Sequence, residues 1–156
     1  MTNEEKEAKI AATELLSATR PLMGDVPPVS LGVICKVLGI EVYAMPCSSF
    51  GAVFSRKPTL FILANSNLKP GRFRFSVAHE LGHFTLAHPS SFILADGKRV
   101  QGDARLERQA DIFASELLLP ESLLREDLKR GGVSASDLSK RYRVSRQALD
   151  IKLRTL

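Results

Sequence analysis

The sequence predicts an α+β fold in which a small, mostly antiparallel sheet packs with helices and a helical hairpin of helix-turn-helix outline follows. Three observations carry that prediction. Apolar residues recur at three- to four-residue spacing over several long segments. Three short strand-like runs interrupt them between residues 40 and 64. The basic excess gathers in residues 120 to 156, where nine Lys or Arg against five Asp or Glu supply +4 of the formal +5.

Residues 4 to 20 fit an amphipathic helix with Ile10, Leu15 and Leu16 among its apolar positions, ended by RPLMGDVPP. A second helix, about 29 to 38, closes at Gly39, which suits the left-handed cap position. Strands are expected at IEVYA, AVFS and LFILA, separated by Pro46 to Gly51 and by RKP at 56 to 58. KPGRF at 69 to 73 breaks the chain before a helix spanning 72 to 87, whose apolar face is Phe73, Val77, Leu81 and Phe84. Residues 89 to 103, with Pro89, Gly97 and Gly102, read as a loop bordering a cleft.

A further helix is expected over 104 to 120, with Leu106, Ala110, Phe113, Ala114 and Leu117 as its core stripe. The tail then reads as a helix to about Tyr142, a short break, and a last helix capped by Ser145. Leu138, Tyr142, Val144, Ala148, Ile151 and Leu153 supply its apolar contacts. This divides the chain into residues 1 to 119 and a basic hairpin, 120 to 156, packed on them.

Chemistry concentrates in VAHELGHFTLAH, residues 77 to 88, which holds all three histidines of the chain. His79 and His83 stand one helical turn apart on one face, so both imidazoles reach one point. Two imidazole nitrogens about 2 Å from that point make half of a tetrahedral zinc site. Glu80 lies about 100° further round, beside the metal, where a carboxylate serves as general base toward a water. The bland alternative is a buried helix with two incidental histidines.

A third ligand should stand downstream, and the helix over 104 to 120 offers one. Glu107 and Asp111 sit at i and i+4 on the border of the apolar stripe, where carboxylates need a cation or donors to offset desolvation. Glu107 is assigned to the metal, and Asp111 to the far nitrogen of a ligating histidine, fixing its tautomer. The competing reading is a solvated helix edge with Arg105 and Arg108 as local partners. Asp103 and Glu116 are weaker ligand candidates, since Glu116 lies about 180° round the helix from Glu107. His88, five residues after His83, would point about 140° away on a continuing helix. It is read either as a group just past the helix end that reaches back to support a ligand or an oxyanion, or as an ordinary helix-terminal histidine. Tyr43 is a second oxyanion candidate, and a strand such as 59 to 64, if at the sheet edge, would hold an extended substrate by backbone pairing.

Composition sets bounds. Cys35 and Cys47 form no disulfide framework, MTNEEKEAKI lacks the apolar run of a signal peptide, and no stretch approaches the roughly 20 apolar residues of a membrane span. A cytoplasmic protein with no membrane partner is expected. In the tail, Arg143, Arg146, Lys152 and Arg154 are candidate contacts to DNA or to a protein partner. The turn lacks the usual glycine, which leaves the packed-hairpin reading equally open.

Together, FRFSVAHELGHFTLAH, ERQADIFASELLLP and LSKRYRVSRQAL resemble the ImmA/IrrE family of bacterial zinc metallo-endopeptidases over about residues 28 to 156. The resemblance implies zinc on His79, His83 and Glu107, with Glu80 as the base. It also implies cleavage of a helix-turn-helix repressor, so releasing genes of stress response or mobile-element transfer. Asp111 stands where the family commonly has Asn, and His88 is displaced by one residue from a further histidine often seen. Two other classes stay open: a DNA-binding regulator with a peptidase-like scaffold, and a toxin-like partner that binds a repressor without cutting it.

Overall fold

The structure is a computed structural model that describes residues 1–48, 50–90, 100 and 102–156. The loop expected over 89 to 103 therefore falls mostly outside the described residues. Helix α1 spans Asn3–Thr19 and is followed by a 3-10 turn at Arg20–Leu22. Its start is fixed by a reciprocal cap, in which Thr2 Oγ1 accepts from the Glu5 amide and the Glu5 carboxylate accepts from the Thr2 amide. Helix α2, Leu31–Leu38, ends at Gly39 in the left-handed conformation at φ 71°, as the glycine predicts. Then come β1 (Glu41–Met45), β2 (Ala52–Ser55) and β3 (Phe61–Asn65). The remaining elements are helical: α3 (Pro70–Thr85), α4 (Ala104–Leu118), α5 (Glu121–Arg130), α6 (Ala135–Tyr142) and α7 (Arg146–Arg154).

The fold is α+β with a small mixed sheet in the order β1-β3-β2. β2 and β3 form an antiparallel pair, whereas β1 runs parallel to β3. The antiparallel expectation thus holds for one pairing of the two. The condition on which the strand near 59 to 64 would hold a substrate, an edge position, is not met, because β3 is bonded on both sides. Strand order depends on where the chain returns from β1, which local pattern does not encode. The open edges belong to β1 and β2. Register places Phe54 opposite Ile62, and both side chains are buried on one face of the sheet.

α3 and α4 pack side by side, and α1 covers α4. The buried face of α1 is Ala8, Ala12, Leu16 and Thr19, while Ile10 is 55% exposed. Small residues at i and i+4 let the helix axes approach, so they take the interface that the larger Ile10 was expected to share. Ile151, an expected apolar contact of the tail, is likewise half exposed. Among the described residues no helix is long and apolar enough to cross a membrane.

The tail holds three helices, since α5 precedes the two expected from the sequence. α6 begins with a second reciprocal cap, Ser134 with Asp137. It ends at Arg143 in the left-handed region at φ 54°, a conformation that glycine more often supplies. The hairpin lies directly on α3 and α4. A Cβ on Gly71 would stand 2.7 Å from the Ser145 backbone nitrogen, so only glycine admits this contact. The Lys152 ammonium meets the Glu116 carboxylate, both buried.

Candidate metal centre

α3 supplies His79, Glu80 and His83, and its geometry is that of the expected helix. Behind them Val77, Ala78, Leu81 and Gly82 are buried against the core. Gly82 controls the distance to α4. A Cβ there would lie 3.1 Å from Phe113 Cδ1 and 3.2 Å from the Ala110 Cα, well inside ordinary carbon contact. The missing side chain lets α4 come close enough for Glu107 to reach the histidines.

Three side chains converge at that point. His79 Nε2 is 3.0 Å from Glu107 Oε2, His83 Nε2 is 3.1 Å from Glu107 Oε1, and the two Nε2 atoms are 3.0 Å apart. Ligands about 2.0–2.1 Å from a tetrahedral zinc stand about 3.4 Å from one another, so the set needs to open only slightly to hold the ion. Glu80, 2% exposed, has a carboxylate oxygen within 4.8 Å of a ring nitrogen of each histidine.

The outward nitrogens are both engaged. His79 Nδ1 is 2.8 Å from Asp111 Oδ1, and His83 Nδ1 is 2.9 Å from His88 Nδ1. A carboxylate only accepts, so His79 carries a proton on Nδ1. With both imidazoles neutral and protonated outward, Nε2, Nε2 and the Glu107 carboxylate face one another as three acceptors. Such a cluster demands a cation. Without a metal that demand falls on a proton: burial opposes charge on His79, yet Asp111 and Glu107 outweigh it and raise its pKa to about 9. The donor set, two imidazoles and a carboxylate with a further carboxylate beside them, fits a zinc ion.

His88 is reached by a local departure from the helix. After Thr85 the chain turns at Ala87, whose φ is 59°, and the His88 amide donates to the His83 carbonyl at 2.8 Å. The ring is folded back under His83 and is 6% exposed, and burial pushes its pKa below the ordinary imidazole value. Phe54 of β2 stacks on the other side of His83, with ring centroids 6.1 Å apart and planes 10° from parallel.

Other expected site residues lie elsewhere. Tyr43 is on β1, paired with Leu63 on the sheet face opposite Phe54, and its hydroxyl donates to Glu41. Strand alternation therefore removes it from the oxyanion position. Asp103 caps α4 by accepting from the Arg105 amide at 2.8 Å, and Glu116 meets Lys152. Lys152 is thereby corrected as a DNA or partner contact, because its charge is buried and neutralised. Arg146 donates to Asp150 at 2.9 Å, while Arg143 and Arg154 are exposed.

Two residues near the centre were not anticipated. Gln109 Oε1 lies 3.1 Å from His88 Nε2. Arg56 donates from Nη1 to the His88 carbonyl at 2.6 Å, with its guanidinium over the Phe54 ring at 4.9 Å. Gln109 sits on the border of the buried face of α4 opposite Glu107, 200° round the helix, where a polar residue looks like any solvated edge.

The chain is similar to known metallopeptidases. The chain is 28% identical over 152 residues to the radiation response metalloprotease IrrE of Deinococcus radiodurans, covering 87% of this chain and 46% of that protein. It is 36% identical over 91 residues to the metallopeptidase ImmA of Bacillus subtilis, covering 57% of this chain and 52% of the relative. The chain thus spans about half the length of these relatives. The model of the IrrE N-terminal-like domain matches residues 35–154, which contain every residue of the centre. The chain belongs to the peptidase family defined by the IrrE N-terminal-like domain.

Proposed function

We propose that this chain is the catalytic unit of a zinc metallo-endopeptidase acting on a protein substrate. The observation that carries the reading is the convergence of three acceptors, His79 Nε2, His83 Nε2 and the Glu107 carboxylate, at 3.0 to 3.1 Å with a buried carboxylate, Glu80, beside them. His79, His83 and Glu107 would hold the ion. When bound, zinc supplies Lewis acidity that makes water a nucleophile near neutral pH and stabilises an oxyanion.

Glu80 does the proton work. Its carboxylate takes a proton from the water as the C–O bond forms, and then returns it to the amine as the peptide C–N bond breaks. Asp111 holds the His79 ring from behind and raises its basicity. β2 takes over the substrate-binding role first expected of β3. It is an edge strand of the described sheet, and its Phe54 lies against His83, so an extended peptide paired with it passes the metal point.

We take the substrate to be a helix-turn-helix repressor and the setting to be a cytoplasmic stress response. The similarity to a radiation response metalloprotease supports the stress-response setting. We treat residues 120 to 156 as a helical appendage that grips the partner or braces the catalytic helices. A DNA-reading role is disfavoured by the burial of Lys152 and the pairing of Arg146.

The test offers two variants a helix-turn-helix repressor as substrate. Glu80→Gln should keep stoichiometric zinc and lose cleavage by about a hundredfold or more. Glu107→Ala should lose the metal itself under mild chelation. Cleavage at the wild-type rate by a zinc-loaded Glu80→Gln chain would reject Glu80 as the base.

A further inference from the structure

His83 and His88 are joined nitrogen to nitrogen, Nδ1 to Nδ1 at 2.9 Å. In such a bond one ring holds the proton and the other presents a lone pair. Its direction is decided further out. His88 Nε2 lies 3.1 Å from Gln109 Oε1, and Gln109 Nε2 donates to the Glu4 carboxylate at 3.2 Å. A carboxylate only accepts, so Glu4 draws the amide nitrogen of Gln109 to its side and turns the amide oxygen toward His88. That oxygen also only accepts. His88 must then carry its proton on Nε2 and present a bare Nδ1, which takes the Nδ1–H of His83.

We propose that Glu4, Gln109 and His88 form a polarity relay that holds His83 in the Nδ1–H tautomer, with its Nε2 lone pair turned toward His79 and Glu107. His88 is thus a positioning residue for the metal centre, and Gln109 sets the sense in which it acts. The inference rests on the reading of His79, His83 and Glu107 as metal ligands.

The two ligands explain why a relay is needed on one side only. His79 is backed by Asp111, which has no proton to offer and leaves one tautomer. His83 is backed by an imidazole, which donates or accepts equally well, so the choice passes to whatever lies behind it. Burial makes the choice binding, because His83 is 4% and His88 6% exposed and solvent has little room to substitute for a missing partner. The backbone is fixed as well. Arg56 holds the His88 carbonyl from Nη1 at 2.6 Å and the Phe84 carbonyl from Nη2 at 3.4 Å, with its guanidinium over both Phe54 and Phe84. The relay also ties α1, through Glu4, to the metal point.

Tautomers are read directly from long-range proton–nitrogen-15 correlation spectra of the histidine side chains. In the metal-free full chain, His83 should show a protonated Nδ1, and His88 a bare Nδ1 with a protonated Nε2. Protonation of His83 on Nε2 and not on Nδ1 would overturn the relay without any variant being made. Zinc affinity, measured by competition with a chelating dye, gives a second readout. His88→Phe keeps a ring but removes the acceptor, and should weaken zinc binding about 10- to 100-fold. His88→Asn restores an acceptor oxygen and should recover most of that loss, while Gln109→Met should weaken binding less than His88→Phe. Zinc affinity of His88→Phe within twofold of wild type, or an equal loss in His88→Asn, overturns the proposal. A wild-type chain that binds no zinc would instead defeat the metal-centre reading, and the tautomers of the metal-free chain would still decide the relay.

Discussion

Gly82→Ala isolates the spacing between the two helices that build the centre. The added Cβ would meet the Ala110 Cα at 3.2 Å and Phe113 at 3.1 to 3.2 Å. Comfortable carbon contacts begin near 3.5–4.0 Å, so α3 and α4 must part by about 0.5 Å. Phe113 can turn its ring, but the Ala110 Cα is backbone and moves only with α4. Glu107 stands one turn earlier on that helix and moves with it. Metal sites tolerate ligand displacements of about 0.2 Å, so the shift exceeds what the carboxylate can absorb without strain.

Stability and affinity should therefore respond differently. Alanine is favoured over glycine in a helix interior by about 1 kcal/mol, whereas overpacking a tight contact costs about 1–3 kcal/mol. The metal-free chain should lose no more than about 2 kcal/mol in urea unfolding, by difference of those figures. Zinc affinity, measured by dye competition, should fall about tenfold or more, on the scale of lost support to a ligand. Affinity within twofold of wild type would refute the argument that Gly82 sets the reach of Glu107.

Two further outcomes are expected. Glu121 is held at about 2, well below the usual 4.5, by hydrogen bonds from Lys9 and then Arg125. A depressed carboxyl stabilises fully above its unfolded pKa and loses that contribution as pH falls through the folded one, here between about 4.5 and 2. Glu121→Gln should thus cost about 1 kcal/mol at pH 7 and only a small part of that at pH 2 in denaturant unfolding, and an equal penalty at both would count against the ion pair. Reversing charge at Arg143 and Arg146 should leave duplex DNA binding unchanged from wild type. A salt-sensitive, sequence-specific complex that the reversal abolishes would restore the DNA-reading role.

The parts of the centre legible in the sequence are those that a straight helix determines. His79 and His83 at i, i+4 and Glu107 and Asp111 at i, i+4 each follow from 3.6 residues per turn. His88 does not, because its place depends on the chain leaving the helix at Ala87 with φ of 59°, a conformation that alanine does not advertise. Gln109 and Arg56 act through contacts 21 and 32 residues distant in sequence, beyond any local spacing. The central place of β3 depends on long-range pairing in the same way. α5 was missed because its three leucines are set among charged residues over only Glu121–Arg130, too short for the apolar period to stand out.

The tail shows how composition alone overstates a surface. Its basic excess invites a nucleic-acid reading, yet Lys152 is buried against Glu116 and so carries no charge to the outside. Arg74 of α3 donates to the Arg143 carbonyl at 3.2 Å and to the Val29 carbonyl at 2.9 Å, fixing the turn of the hairpin to α3 and to the segment before α2. Ser145, Ala148, Ile151 and Lys152 face a cavity of about 430 Å³ that α3 and α4 also line, through Phe75, Asp111 and Ile112. The helix that would enter a DNA groove is thus partly turned toward the site helices. Asp111, which is bonded to His79 Nδ1, is on the wall of that cavity, so a molecule bound against α7 would also lie beside a residue that touches the candidate metal centre.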